Sequence, residues 1–148
     1  MSQVVCGSCE TINRVAAGRP ATEAKCGKCG EPLFAGHPVE VTGAGLDKRR
    51  RKSQGVALLV DVWAPWCGPC RAMAPSFAKA AGKLEPDVQL LKLNSDNEQA
   101  ASAALGIQSI PTLILFRDGR EVARSSGALG ESQIVEWTRR ALAQSAAA

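Results

Sequence analysis

The segment that decides the fold is Val56–Cys70, which reads VALLVDVWAPWCGPC. Its first half is an almost unbroken apolar and β-branched run, which is typical of a strand buried on both faces of a sheet. Its second half ends in Cys67-Gly68-Pro69-Cys70, where proline favours the first turn of a helix. Two thiols three residues apart at a helix start can open and close a disulfide with little movement of the backbone. We therefore expect a buried strand that delivers a redox-active dithiol to the start of a helix.

Outward from this segment, strands and helices alternate. The predicted strands cover 56–63, 88–93, 112–116 and 121–126, and the predicted helices cover 67–83, 98–105 and 131–143. The last two strands are joined by Asp118-Gly119, a strong hairpin signal. This order is that of an α/β fold with a mixed sheet.

The part of the chain before this segment has a different composition. Residues 1–34 contain few large apolar side chains, and a region of that size needs a metal or disulfide to fold. Residues 35–55 form a predicted connector, with a short strand over Val39–Thr42 and a short basic helix over Leu46–Ser53. We expect a metal module over 1–34 and the core of the main domain over 56–148, with that domain beginning near residue 38.

Four cysteines in the N-terminal region form two C-x2-C pairs separated by 16 residues: Cys6, Cys9, Cys26 and Cys29. Each pair contains or precedes a glycine, so the backbone can turn and aim both sulfurs at one point. Two such turns supply the four ligands of a tetrahedral structural Zn2+. The alternative is a pair of redox dithiols or local disulfides.

Charge is concentrated in the N-terminal third. Residues 1–55 contain nine Lys or Arg and five Asp or Glu, whereas residues 56–148 contain nine of each. Five basic residues lie together at Lys48–Lys52, which we interpret as a solvated basic helix or linker. Another interpretation makes the N-terminal region a nucleic-acid-binding ribbon that Lys48–Lys52 assists. Phe34 is, however, the only aromatic residue nearby on which a base could stack. The sequence therefore does not favour a nucleic-acid partner.

The apolar stretches and the N-terminus of the chain indicate the cellular location of the protein. No apolar stretch approaches the roughly 20 residues that span a bilayer, and the N-terminus lacks the basic start and apolar core of a secretory signal. We therefore expect a cytoplasmic protein with no membrane partner. In that compartment six cysteines favour metal or redox chemistry over a structural disulfide framework.

The motifs resemble those of a known family. Val60–Cys70, Ser109–Thr112 and Gly127–Leu129 are similar to the active-site segments of thioredoxins, and the resemblance extends over residues 39–143. With the cysteine quartet in front, the chain resembles the zinc-bearing second type of bacterial thioredoxin. This resemblance implies the thioredoxin fold, with a mixed central sheet flanked by helices and a small zinc-ribbon-like module before it.

Reactivity of the dithiol follows from its place at the helix start. Unpaired backbone N–H groups and the helix dipole there stabilise an anion, so we expect the Cys67 thiolate to attack and the more buried Cys70 to resolve. The resemblance makes Asp61 the buried acid that takes the proton of Cys70, and Lys92 the cation near that acid. The alternatives are a purely structural hydrogen bond for Asp61 and an ordinary sheet-edge lysine for Lys92.

The resemblance also predicts the surface that meets a substrate. It makes Pro111 a cis-proline beside the dithiol and leaves the backbone of Ile110 free to pair with an extended substrate segment. A packing role is the alternative for Trp66. The predicted substrate-binding residues are Trp66, Gly68, Pro69, Ile110, Pro111, Gly127 and Ala128.

Together these features predict a protein-disulfide reductase with one structural zinc and no bound organic cofactor. The resemblance implies protein disulfides as substrates and a flavoprotein thioredoxin reductase as the partner that recharges the dithiol. The alternative gives the zinc module a role of its own, as a redox sensor or partner-binding adaptor in which zinc release regulates the thioredoxin domain.

Overall fold

The computed structural model describes residues 1–20 and 23–147. At the N-terminus, β1 (Ser2–Val5) and β2 (Ile12–Val15) form a two-stranded antiparallel sheet. The other elements are β3 (Val39–Glu40), α1 (Gly43–Lys52), β4 (Ala57–Trp63), α2 (Gly68–Leu84), β5 (Val88–Asn94), α3 (Gln99–Ala104), β6 (Thr112–Arg117), β7 (Arg120–Ser126) and α4 (Glu131–Ala147). Within the described ranges, no helix combines the length and the apolar character that crossing a membrane requires.

The main sheet has five strands in the order β3-β5-β4-β6-β7. The first three of these strands run parallel, and β6 and β7 pair antiparallel. The predicted mixed sheet is confirmed. Strand β4 lies in the middle, so both of its edges are hydrogen-bonded and the dithiol that follows it leaves from the centre of the sheet.

Both faces of β4 are covered, which explains its unbroken apolar run. Leu59 packs with Phe77 of α2 and Ile134 of α4 on one face. Its neighbour Val60 packs with Leu46 of α1 on the opposite face, which α3 also covers. Because successive side chains of a strand point to opposite faces, a strand inside such a three-layer arrangement must be apolar at nearly every position.

Some predicted boundaries move, for a local reason. Helix α1 begins at Gly43 rather than Leu46, because the Oγ1 of Thr42 accepts a hydrogen bond of 2.9 Å from the N–H of Gly45. A residue that caps a helix in this way leaves the strand pairing before it, so β3 ends at Glu40 instead of continuing to Thr42.

The Asp-Gly hairpin has the backbone that its sequence predicts. Asp118 and Gly119 have φ angles of 51° and 80°, and they join β6 to β7. Positive φ at both central residues matches the right-handed twist of the paired strands. This prediction is confirmed.

The N-terminal module packs against the main domain. Its small core contains Val4, Leu33 and Phe34 and extends to Val56, which immediately precedes β4. Two backbone hydrogen bonds of 2.8 and 3.0 Å join Gln3 to Gln54. The division of the chain at residues 34 and 55 stays a prediction.

The basic run Lys48–Lys52 is not simply a solvated surface, so that interpretation was wrong for Arg49. Its side chain is only 1% exposed. One guanidinium nitrogen lies 3.0 Å from a carboxylate oxygen of Glu10, and the other donates to the carbonyl oxygen of Cys6 at 3.2 Å. A buried guanidinium requires such partners, and here most of them belong to the N-terminal module.

Candidate functional site: the dithiol and the cysteine quartet

The dithiol lies where β4 gives way to α2. Cys67 and Cys70 form a disulfide whose Cα atoms are 5.3 Å apart. Cys67 is the N-cap residue of α2, and its sulfur accepts a hydrogen bond of 3.2 Å from the backbone N–H of Cys70. An N–H donor and the positive end of a helix dipole both favour a negative charge on that sulfur.

A second loop closes over the same sulfur. The Sγ of Cys67 lies 3.8 Å from the carbonyl oxygen of Ile110, and the peptide bond from Ile110 to Pro111 is cis. The cis bond is the one that the resemblance predicted. The carbonyl oxygen of Pro111 accepts a hydrogen bond of 2.9 Å from the N–H of Gly127, so three predicted surface residues meet beside the dithiol.

Asp61 is a carboxyl group sealed inside the protein. It is 0% exposed, and neither carboxylate oxygen has a hydrogen-bond partner among the described residues. It shares the face of β4 with Leu59 and Trp63: Leu59 packs against α2, and Trp63 packs against the cluster that contains Cys70. Burial raises its pKa to about 7, although Lys92 lowers it and Glu40 raises it further. Such a group can hold or release a proton near neutral pH.

Lys92 and Asp61 are direct neighbours across β5 and β4, as the resemblance predicted. The ammonium of Lys92 lies 4.4 Å above the ring of Trp63. The indole N–H of Trp63 donates to a carboxylate oxygen of Glu40 at 3.0 Å. Glu40 of β3 is the cross-strand neighbour of Lys92 on the side away from β4. No sequence motif marks Glu40, because only the register of β3 places it beside Lys92.

Beside the dithiol lies an open cavity of about 680 Å3. Four of the predicted substrate-binding residues line it: Trp66, Gly68, Pro69 and Ile110. Gly127 and Ala128 are exposed but do not line this cavity. The lining also includes residues that the sequence analysis missed, among them Ser95, Gln99, Ile107 and Gln108.

Trp66 is placed at the mouth of this cavity rather than in the core. Its side chain is 70% exposed, and its indole N–H donates to Asp96 at 3.1 Å. The ring of Trp66 is therefore open to solvent while its polar end is held in place.

The four N-terminal sulfurs converge as predicted. All four lie within 4.8 Å of one another, and the pairs Cys6–Cys29 and Cys9–Cys26 are both 3.6 Å apart. Zinc–sulfur bonds of about 2.3 Å in a tetrahedron place sulfurs about 3.8 Å apart. The residues present therefore fit a tetrahedral metal ion.

The electrostatics of the quartet also fit a cation. The backbone N–H of Cys29, then the amide of Asn13, lower the pKa of Cys26 to about 6. The backbone N–H of Glu31 lowers the pKa of Cys29, but burial and the neighbouring cysteines outweigh it and raise that pKa to about 12. Four sulfurs this close cannot all be ionised unless a cation shares them, and ligation by zinc requires that they are.

Comparison with known proteins covers both parts of the chain. Residues 39–140 match the family model described as Thioredoxin, and residues 5–31 match the one described as Thioredoxin 2, N-terminal. Thioredoxin C-3 of Corynebacterium nephridii is 38% identical over 141 residues, which cover 95% of this chain and 96% of that protein. A thioredoxin of Pseudomonas aeruginosa is 41% identical over 101 residues, or 68% of this chain and 93% of that one.

Solved structures agree with these sequence matches. A mutant thioredoxin from Halobacterium salinarum is similar with a TM-score of 0.63 and 30% identity, and the match covers 71% of this chain and 90% of that one. The matched share corresponds in size to the five-stranded domain.

Proposed function

Because the chain belongs to the thioredoxin family and is a thiol–disulfide oxidoreductase, we propose that it reduces disulfides of other proteins, with Cys67 as nucleophile and Cys70 as resolving thiol. The observation that carries the proposal is a disulfide at the start of α2, on the face of the sheet where Asp61 is buried. The start of α2 stabilises the thiolate of Cys67, and Asp61 supplies the proton acceptor for Cys70.

The first step is attack on the substrate. The Cys67 thiolate forms a bond to one sulfur of the substrate disulfide, and the other substrate sulfur leaves as a thiolate. The N–H of Cys70 and the dipole of α2 stabilise the attacking thiolate. This step produces a mixed disulfide and changes no net oxidation state.

The second step resolves the mixed disulfide. Asp61 accepts the proton of Cys70, and the resulting thiolate attacks Cys67 and releases the second substrate thiolate. The protein ends oxidised, with the bond between Cys67 and Cys70, and the substrate ends reduced by two electrons. A base with a pKa near 7 suits this task, because it is partly ionised at neutral pH and still accepts a proton readily.

The cavity beside the dithiol supplies the docking surface in this proposal. Trp66, Gly68, Pro69 and Ile110 line it, and Pro111 follows Ile110 through the cis peptide bond. Gly127 and Ala128 extend this surface at the end of β7. An extended substrate segment pairs with the free backbone of Ile110, as in strand addition.

The quartet holds a structural zinc ion in this proposal. Cys6, Cys9, Cys26 and Cys29 are its ligands, which is supported by their sulfur–sulfur distances. Zinc bound there would offset two of the four thiolate charges and close the module, and it would take no part in electron transfer. The proposal includes no organic cofactor bound by the chain.

Reduction of the Cys67–Cys70 disulfide completes the cycle. By analogy with the family, the electron donor is a flavoprotein thioredoxin reductase, and Lys92 acts by moderating the charge of Asp61. The cytoplasmic location remains a prediction from the sequence.

A second candidate function is regulation through the N-terminal module, in which oxidation of the quartet releases zinc. The observation that favours it is the contact of Arg49 with Glu10 and Cys6, because opening the module removes the partners of a buried cation. Titration with peroxide in the presence of a zinc-binding dye tests this function. Zinc that stays bound while Cys67 and Cys70 are fully oxidised would exclude it.

Trapping tests the main proposal. A Cys70→Ser variant should accumulate a mixed disulfide with a disulfide-bonded protein substrate, and peptide mapping should place the link at Cys67. Equilibration with a glutathione buffer then gives the direction of the reaction. A potential well above that of the cytosolic glutathione pool would make the protein an oxidant and refute the reductase assignment.

A further inference from the structure

We propose that Glu40 is a positioning residue for the resolving step: Glu40 and Asp61 are the two cross-strand neighbours of Lys92, and the negative charge of Glu40 offsets part of the Lys92 charge and so keeps Asp61 a stronger base. The inference rests on the proposed function, in which Asp61 accepts the proton of Cys70. It adds a second acid to the site, from a strand that carries none of the motifs.

The three charged groups form a row across adjacent strands. Glu40 of β3 pairs with Lys92 of β5, and Lys92 pairs with Asp61 of β4. Paired residues of neighbouring strands point to the same face of a sheet, and strands lie about 4.8 Å apart. Lys92 therefore stands between two carboxylates whose backbones are about 10 Å apart.

Trp63 ties the outer part of this row together. Its indole N–H donates to Glu40 at 3.0 Å, and its ring lies 4.4 Å beneath the ammonium of Lys92. The indole therefore holds the Glu40 carboxylate and supports the Lys92 cation at the same time. Because Trp63 is the last residue of β4, its position is fixed by the same strand that carries Asp61.

The three charges influence one another although their exposure differs: Glu40 is exposed, Lys92 is half-buried and Asp61 is fully buried. Burial raises the pKa of Glu40, and the indole of Trp63 and the charge of Lys92 lower it. For Asp61, burial is the largest cause of the raised pKa, Lys92 opposes it, and Glu40 adds to it. Removing the negative charge of Glu40 leaves Lys92 to act on Asp61 alone and makes Asp61 a weaker base.

The other groups around the row are few. The helix that covers this face of the sheet, α2, has Cys67 as its N-cap and Cys70 in its first turn, and β6 contributes the apolar Leu113 as the cross-strand neighbour of Asp61. The hollow that Glu40 lines also contains three titratable groups: Glu31, His37 and Glu85. None of these three is among the charges that shift the pKa of Asp61, which are Lys92 and Glu40.

A carboxyl titration in the disulfide form tests the proposal without interference from the thiols. Side-chain 13C shifts give the midpoint for Asp61. Glu40→Gln keeps an oxygen for the indole N–H and removes only the charge, and it should move that midpoint to lower pH by about half a unit. Lys92→Gln should move it to higher pH. Glu136→Gln, a matched change on the exposed surface of α4, should leave it unchanged.

Kinetics link this shift to the reaction. An aromatic disulfide reagent releases one coloured thiolate on attack by Cys67 and a second on resolution, and the second phase is independent of reagent concentration. The rate of that phase should rise with pH. In Glu40→Gln the midpoint of this rise should move to lower pH by the same amount as the 13C midpoint.

Two results overturn the proposal in different ways. If Asp61→Asn slows resolution while Glu40→Gln keeps the midpoint of the unaltered protein, the role of Glu40 is refuted and the proposed function stands. If Asp61→Asn leaves resolution unchanged at every pH, the proton-acceptor role fails, and the role of Glu40 fails with it.

Discussion

The two cysteine regions of this protein use the same spacing for different chemistry. In the N-terminal module, two C-x2-C pairs face each other, and their sulfurs come within 4.8 Å. In the main domain, the third pair, Cys67 and Cys70, forms a disulfide and faces the Ile110 carbonyl. Spacing brings two sulfurs together in each case, but the surrounding groups determine whether they hold a metal or exchange electrons.

Protein groups around the sulfurs account for the difference. In the module, a cysteine sulfur accepts bonds from donors such as the amide of Asn13, and a second pair completes a tetrahedral set. At the dithiol there is no second pair, and a helix start stabilises one sulfur, with the buried acid Asp61 on the adjacent face of the sheet. A redox pair therefore needs one sulfur that its surroundings stabilise as a thiolate, whereas a metal site needs four sulfurs that converge on one point.

The sharpest way to break the comparison is to remove the nucleophile. Cys67→Ser should lose all turnover in a protein-disulfide reduction assay and keep one zinc per chain, because its sulfur forms the mixed disulfide and takes no part in the quartet. A serine variant that still turns over would place the nucleophile elsewhere.

Loss of one quartet ligand should give the opposite result. Cys26→Ser should lose its zinc and the amide-exchange protection of β1 and β2 while keeping most of its reductase turnover. Structural zinc contributes on the order of 10–16 kcal/mol of apparent binding free energy, which a region this small cannot replace. Ser8→Ala, in the same backbone turn but outside the quartet, is the control and should keep its metal in a zinc assay.

The buried acid of the dithiol site should make stability depend on pH. Because the pKa of Asp61 is about 7 in the folded protein and about 3.9 in an unfolded chain, the folded state binds its proton more tightly. Stability is unaffected below about pH 4, falls as the pH rises from about 4 to 7, and stays reduced above that range.

Asp61→Asn should remove the loss of stability that ionisation of Asp61 causes as the pH rises. In denaturant unfolding of the disulfide form at pH 8, it should be more stable than the unaltered protein by up to about 4 kcal/mol, and the difference should vanish near pH 4. A difference that is constant from pH 4 to 8 would show that Asp61 does not titrate with a raised pKa.

The smallest expected effect concerns the contact between the two regions. Arg49→Met should destabilise the protein by about 2 kcal/mol, because it removes the ion pair with Glu10 and leaves the carbonyl oxygens of Cys6 and Gly45 without their donor. Arg51→Met is the matched control on the same helix. It removes an exposed ion pair with Asp47 and should cost less than about 1 kcal/mol in the same unfolding measurement. Equal losses would mean that Arg49 does not join the regions.

Several parts of the fold and site were predictable because they depend on neighbouring residues. The buried strand β4 follows from an apolar run, the β6–β7 hairpin from Asp-Gly, and the quartet from two C-x2-C pairs. The cis bond before Pro111 came from the family resemblance, because an isolated X–Pro sequence leaves both isomers open.

Other features could not be predicted from local patterns. Arg49 sits in a run of five basic residues, yet it alone of that run is fully buried. Nothing in the run marks it, because its partners Glu10 and Cys6 are remote in sequence. Glu40 likewise stands in a short, ordinary segment, and its place beside Lys92 comes from the parallel pairing of β3 with β5.

Short-range chemistry was therefore sufficient to identify the elements, the dithiol and the cysteine quartet, because turns, alternation and C-x2-C spacing act over a few residues. Folding added the buried Arg49, the row from Glu40 to Asp61 and the cavity beside Trp66. Those features arise when strand register and helix packing bring together residues far apart in the chain. Burial then strengthens the electrostatic coupling between groups that would be independent in water.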